Sequence, residues 1–231
     1  MDVRALVFDV FGTVVDWRTG VTRDVRRLLG DAADAEAFAQ AWRGRYVPSM
    51  DRVRRGERPW TNLDGLHRAS LDELLAEFGF PDLPEDTRAE LVLAWHRLDP
   101  WPDSVAGLTR LKRRHVIASL SNGNVALLVT MARHAGLPWD TVLSAELFRR
   151  YKPDAEVYLG AVELLGLAPD QVIMVAAHLD DLAAARACGL RTAYVHRPGE
   201  YGPDGPAPPR TDPEADLTVD SLTELAERLG A

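Results

Sequence analysis

The sequence predicts an α/β protein whose parallel sheet is interrupted, just after its first strand, by an all-helical segment. Three observations carry that expectation. Short β-rich runs alternate with helical stretches from about residue 98 onward. The stretch from about 16 to 96 holds amphipathic helical patterns and no convincing strand run. An apolar run, Ala5 to Phe8, stands alone ahead of that segment and stops on a carboxylate, Asp9. Short strands separated by helices imply right-handed crossovers and a sheet covered on both faces.

The first strand is "RALVFD". The insertion follows as "VTRDVRRLLG", "DAEAFAQAWRGRYVPSM", "LDGLHRASLDELLAEFG" and "DTRAELVLAWHRL", each with apolar residues at helical spacing. Strand runs resume with "HVIASLSN", the weaker "DTVLSAEL", "QVIMVAAH" and "RTAYVH", and "DLTV" is expected at an edge. Helices are expected between them at 124–135, 154–165 and 181–188, the last closed by Gly189. "PGEYGPDGPAPPRTDPEAD" has the composition of a surface loop before the final strand and helix. The resulting division is a core of residues 1–15 and 97–231 and a helical cap of residues 16–96, with no internal repeat.

Composition narrows the function. The 231 residues are 46% hydrophobic and 27% charged, as in an ordinary soluble globular protein. A net charge of −8 argues against a nucleic-acid or anionic-membrane surface. The single cysteine, Cys188, cannot form an intramolecular disulfide and fits a reducing compartment. No signal peptide opens the chain and no apolar stretch is long enough to cross a bilayer, so a cytoplasmic location is expected. The remaining histidines, His67, His96, His115, His134 and His196, show no metal-ligand spacing.

In a parallel sheet of this kind ligands bind at the carboxyl ends of the strands. The residues expected there are Asp9, Ser121 and Asn122, Lys152, and His178 with Asp180 and Asp181. A carboxylate at a strand end can be a structural cap, a metal ligand or a nucleophile that forms an ester or acyl phosphate. Thr13 is within reach to hydrogen-bond Asp9, and a nearby lysine favours the ionised, attacking form.

"DVFGT", "LSNGN", "YKPD" and "AHLDDLAAARACGLRTAYV", in that order, resemble the four motifs of the haloacid dehalogenase superfamily over essentially the whole chain. The resemblance implies a Rossmann-like core with an inserted cap, Asp9 as nucleophile, Thr13 and Ser121 or Asn122 around the site, and Lys152 as charge stabiliser. Most members of that superfamily are magnesium-dependent phosphatases, and they carry a second aspartate two residues after the nucleophile as general acid and base. Here that position is Phe11, which has no proton to give. The metal-binding "GD" pair of their fourth motif falls on Ala176 and Ala177. A halide leaving group needs little or no proton, so a nucleophile that attacks carbon can dispense with both acid and metal. The sequence is accordingly similar to the type II 2-haloacid dehalogenases.

That resemblance implies a cofactor-independent hydrolysis of small 2-haloalkanoic acids, with fluoroacetate among the candidates. An ester forms on Asp9, C2 is inverted, and Asp181 orients or deprotonates the hydrolytic water while Lys152 steadies it. Arg43 in "QAWRGRYV" matches the family's halide-receiving arginine, with Asn122 and Trp60 at matching halide-pocket positions and Phe11 in an apolar wall. Ser121 and the backbone N–H groups after Asp9 would bind the substrate carboxylate, and Tyr158 matches a tyrosine that supports the lysine. His178 stands where well-known members carry asparagine; it can replace that hydrogen-bond partner or donate to a departing halide. The resemblance also suggests a homodimer. A magnesium-dependent phosphatase with an unusual first motif, a non-catalytic member, and attack on another activated C2 such as a strained ring amino acid stay open as alternatives.

Overall fold

The computed structural model describes residues 2–203 and 205–231. Met1, in the expected core segment, and Asp204, in the expected Pro/Gly-rich loop, lie outside them. The chain opens with β1 (Ala5–Phe8), then β2 (Val15–Asp16), and runs through five helices, α1 (Trp17–Leu29), α2 (Ala35–Gly44), α3 (Tyr46–Arg54), α4 (Leu63–Glu77) and α5 (Glu85–Val92). It returns through β3 (Asp99–Pro100) and α6 (Ser104–Leu111). Then β4 (Val116–Ser121), α7 (Val125–Ala135), β5 (Thr141–Ser144), α8 (Ala155–Leu165), β6 (Val172–Ala176), α9 (Leu179–Ala187), β7 (Arg191–Val195), β8 (Leu217–Val219) and α10 (Leu222–Arg228) complete it.

Six strands form one parallel sheet in the order β5-β4-β1-β6-β7-β8. The lone apolar run of the N-terminus is therefore central, and all four residues of β1 are fully buried. A strand covered on both faces has no solvent side, so its residues are apolar without alternation. Around it α6 packs on β4 and α10, α7 on β5, and α9 on β6, β7 and α8. The edge position expected for "DLTV" is where β8 lies.

Between β1 and β4 the helices α1 to α5 pack on one another, α1 against α2 and α5, and α4 against α2, α3 and α5. The chain enters and leaves this segment through an antiparallel pair, Val15 opposite Pro100 and Asp16 opposite Asp99. Asp16 also caps α1, its Oδ1 accepting from the Thr19 N–H at 3.0 Å.

Three expectations need correction. The stretch 34–50 is two helices, not one. Pro48 has no N–H to donate to residue 44, so a continuous helix would leave that carbonyl unpaired; as the third residue of α3 the missing N–H costs nothing. The stretch 86–98 ends its α-helix at Val92 and tightens into a 3₁₀ turn over Leu93–His96. In 140–147 only Thr141–Ser144 is extended, and Ala145–Phe148 form a 3₁₀ turn started by the Ser144 side chain, which accepts from the Glu146 N–H.

Candidate active site

Successive strands leave β1 in opposite directions, β4 on one side and β6 on the other, so the loops at their carboxyl ends part and leave a crevice. Asp9 directly follows β1, Asn122 follows β4, and Ala177 and His178 follow β6. Asp181 lies in the first turn of α9, and Lys152 in the loop that leads from β5 to α8.

Lys152 Nζ donates to Asp9 Oδ1 at 3.0 Å and to Asp181 Oδ2 at 2.5 Å. Thr13 Oγ1 donates to Asp9 Oδ2 at 2.8 Å and is held by the Ala177 N–H at 2.9 Å, which fixes its rotor. The Lys152 backbone N–H donates to Asn122 Oδ1 at 2.8 Å, tying the lysine's loop to the end of β4. Asp9, Lys152 and Asp181 are all buried.

Burial would raise the Asp9 carboxyl, but the Lys152 charge and the His178 contact outweigh it and hold it well below the usual carboxylate range. Burial likewise opposes the Lys152 ammonium, and the charges of Asp181 and Asp9 more than offset this and raise it. Asp181 goes the other way: burial, joined by the charge of Asp9, lifts it despite Lys152. Asp9 is thus stably ionised, and a single ammonium stands between two carboxylates.

His178 touches Asp9 directly, with Nδ1 at 3.1 Å from Asp9 Oδ2 and Nε2 at 3.0 and 3.1 Å from the two oxygens of Glu200. An ionised carboxylate only accepts, so both ring nitrogens must donate and the ring is an imidazolium. Burial disfavours that charge, but the hydrogen bonds to Asp9 and Glu200 and their charges push its pKa up to about 10. The sign follows: a folded value above the unfolded ~6.5 gives stability that is complete below pH ~6.5 and is lost as pH rises towards about 10. Urea unfolding of the wild type between pH 6.5 and 10 should lose roughly 1–3 kcal/mol more than unfolding of His178→Gln over the same range. Parallel pH profiles for the two proteins would contradict this.

These groups share a cavity of about 230 Å³ with residues of the helical segment. Its apolar side is formed by Phe11, Tyr46, Val47 and Met50, and Arg43 lies among them. The Arg43 guanidinium sits 4.2 Å from the Tyr46 ring centre and 5.5 Å from that of Trp17, between two π faces that stabilise its charge. Its Nη1 is buried and has no partner among the described residues, a charged donor left free for an anion. Phe11 packs edge-on against Tyr46 and Trp95, at 6.2 and 6.0 Å between ring centres. Position 12 must be glycine: its φ is +83°, and a Cβ there would lie 2.2 Å from Glu200 Oε1.

The crevice brings together Asp9, Phe11, Thr13, Arg43, Asn122, Lys152, Tyr158, His178 and Asp181, but not every expected residue. Trp60 is elsewhere. Its ring packs against Tyr151, tilted by 32° at 4.9 Å between ring centres, in a separate cleft with Arg54 and Asp154, where the Tyr151 hydroxyl donates to the neighbouring Thr61 carbonyl at 2.7 Å. The aromatic faces beside Arg43 come from Trp17 and Tyr46 instead. Trp60→Ala should therefore leave kcat/KM within about threefold while costing about 1–3 kcal/mol of stability through lost packing. A loss of activity beyond tenfold would put Trp60 back in the site.

The Ser121 side chain, at the end of β4, is fully buried, and its Oγ accepts the Gly123 N–H at 3.2 Å. Tyr158 supports the aspartate rather than the lysine, its hydroxyl donating to Asp181 Oδ1 at 2.5 Å. The Pro/Gly-rich segment is not wholly a surface loop, because Glu200 is buried and Tyr201 lines the cavity. Sequence reasoning missed Tyr46, Glu200 and Tyr201. Tyr46 lies three residues after Arg43, a spacing that could have flagged it, but nothing local marks Glu200.

A donor set for Mg²⁺ is not assembled here. Phe11 and Ala177 bring no side-chain oxygen, and Lys152 Nζ and the Tyr158 hydroxyl already engage both oxygens of Asp181.

Comparison with known proteins agrees with this geometry. The model of the haloacid dehalogenase-like hydrolase family matches residues 3–189. A curated relative, (S)-2-haloacid dehalogenase 1 of Pseudomonas sp. (strain CBS-3), is 32% identical over 86% of this chain and 88% of its own. A solved defluorinating L-2-haloacid dehalogenase superimposes with a TM-score of 0.96 at 46% identity, covering 99% of this chain and 96% of that one. The L-2-haloacid dehalogenase of Xanthobacter autotrophicus, with chloropropionic acid covalently bound, gives a TM-score of 0.85 at 25% identity, covering 99% of both chains. With the motif order, the sheet topology and the family match in agreement, the chain belongs to the haloacid dehalogenase-like hydrolases.

Proposed function

We propose that this protein hydrolyses small 2-haloalkanoic acids to 2-hydroxy acids through an ester on Asp9, taking the (S) enantiomer of chiral substrates. The observation that carries the proposal is one cavity that holds an ionised carboxylate beside Lys152 and a half-buried arginine whose buried Nη1 has no partner among the described residues. Names of the relatives point to the same substrate class.

Asp9 attacks C2 from behind the C–X bond, and the halide departs towards Arg43, whose charge stabilises the anion as it grows. Phe11, Tyr46, Val47 and Met50 exclude water from the reacting centre. Ser121 and the backbone N–H groups after Asp9 hold the substrate carboxylate, and Asn122 lies by the departing halide. Lys152 keeps Asp9 ionised without protonating it, since its own proton is held more tightly by two carboxylates. Water then attacks the acyl carbon of Asp9, so C2 is touched once and its configuration is inverted. Residues 16–96 serve in this reading as a cap that delivers Arg43 to a core made of 1–15 and 97–231.

Halide release in EDTA from fluoroacetate, chloroacetate and both enantiomers of 2-chloropropionate tests the proposal, with a Mg²⁺-supplemented phosphatase assay beside it. Halide without added metal, and (R)-lactate from the (S) substrate, are the expected results. Phosphate release that needs Mg²⁺, with no halide, would overturn it.

A further inference from the structure

Two groups could take a proton from the hydrolytic water, and the structure separates them. Both oxygens of Asp181 are already engaged, one by Lys152 and the other by Tyr158, each at 2.5 Å. His178 instead has one nitrogen on the reacting carboxylate and the other on Glu200. An in-line displacement puts the halide across C2 from Asp9, so a ring that contacts Asp9 itself stands by the future acyl carbon, away from the leaving group.

Resting on the dehalogenase reading, we propose that His178 Nδ1 is the base that activates water against the Asp9 ester, and that Glu200 is the residue that positions it. Glu200 is itself fixed: it is buried, it accepts from Trp17 Nε1 at 3.1 Å, and it lies against Gly12 where no side chain intervenes. A carboxylate from the C-terminal loop thereby links the start of α1 to the ring beside the nucleophile.

The logic is a change of charge. In the resting enzyme two carboxylates hold both ring protons in place. When the Asp9–C2 bond forms and the C–X bond breaks, the negative charge leaves with the halide and Nδ1 loses its anionic acceptor. Glu200 still holds the Nε2 proton, so the proton released to solvent is the one on Nδ1, and the tautomer left behind presents a lone pair beside the ester carbonyl. Water adds to that carbon and gives one proton to Nδ1. The bond from the carbonyl carbon to the alkoxide oxygen breaks, and the alkoxide takes the proton of the newly formed Asp9 carboxylic acid. Asp9 is again ionised and His178 again an imidazolium, and the net products are hydroxy acid, halide and one proton.

The charged groups that face the ring are Asp9 at the end of β1, Glu200 in the C-terminal loop, and Asp180 and Asp181 on its own helix. Lys152, Arg43 and the Tyr201 hydroxyl line the same cavity. Of these, only Asp9 changes charge during turnover.

Rapid-quench single turnovers with (S)-2-chloropropionate, reading halide by ion chromatography and the ester by intact mass, test the inference in wild type, Glu200→Gln and His178→Gln. Halide from the first turnover should stay within about threefold of wild type in Glu200→Gln. The ester should accumulate in both variants, and steady-state turnover should fall about 10²-fold in His178→Gln. The acid limb of kcat in Glu200→Gln should move to lower pH, because removing the neighbouring anion makes the ring less basic; a merely structural role would not move it. Wild-type enzyme quenched at pH values below its acid limb should also accumulate ester, a readout that does not depend on either variant folding. An unmoved acid limb, or no more ester in His178→Gln and Glu200→Gln than the wild type carries at its optimum, overturns this inference alone. No halide from the wild type overturns the dehalogenase reading itself.

Discussion

Asp9→Asn is expected to lower halide release by about 10⁴-fold or more, because it removes the attacking atom and nothing else in the cavity can replace it. The amide is nearly isosteric, so the contact with Thr13 survives in part and the fold should persist. It cannot, however, balance the Lys152 ammonium, which would then be shared with Asp181 alone. Intact-mass measurement after exposure to substrate should show no covalent increment on the variant, whereas the wild type caught within one turnover should carry it. A variant that retained even a hundredth of the wild-type halide release would mean that water attacks C2 directly and that Asp9 is a base, not a nucleophile.

The second large effect is on stability as well as rate. Lys152→Met should abolish measurable turnover and cost about 3–5 kcal/mol at neutral pH, since it leaves buried Asp181 without its cation and Asp9 with the His178 imidazolium alone. The carboxylates should then reverse their own part of the pH dependence, beside the His178 part that both proteins share. In the wild type the depressed Asp9 contributes stability that is present above its unfolded pKa of 3.8 and is lost as pH falls through the folded value. Without the lysine, burial and the charge of Asp9 raise Asp181 further, so the variant should gain more stability than the wild type as the pH is lowered from 8 towards 5. Denaturant midpoints measured for both proteins across that range decide the matter. A variant that gains no more than the wild type would show that the two carboxylates do not depend on Lys152.

Sequence order located much of the site because a parallel α/β sheet converts order along the chain into proximity. Once Asp9, Asn122, Lys152 and His178 with Asp181 are recognised as ends of successive strands, right-handed crossovers leave them few places to go except one edge of the sheet. The same local logic explains why the chemistry of Phe11 and Ala177 is legible from chain order alone: both lie within three residues of a strand end. Contacts made across the cap had no such register. Arg43 was legible by its resemblance to a family position, but the aromatic rings that flank it were not, and Trp60 proved to pack on Tyr151.

By itself the sequence determined the sheet, the helical segment between its first two sheet strands, and the charged groups at the strand ends. These follow from apolar periodicity and chain order, which act over a few residues at a time. Only the tertiary structure decided that Tyr158 braces Asp181 and that Glu200 reaches His178 from a loop rich in proline and glycine. Glu200 and His178 are 22 positions apart and separated by a helix and a strand. No periodicity relates two such residues; their meeting is fixed by how the loop after β7 packs over Gly12 and Trp17, where a missing side chain leaves room for a carboxylate and an indole N–H holds it.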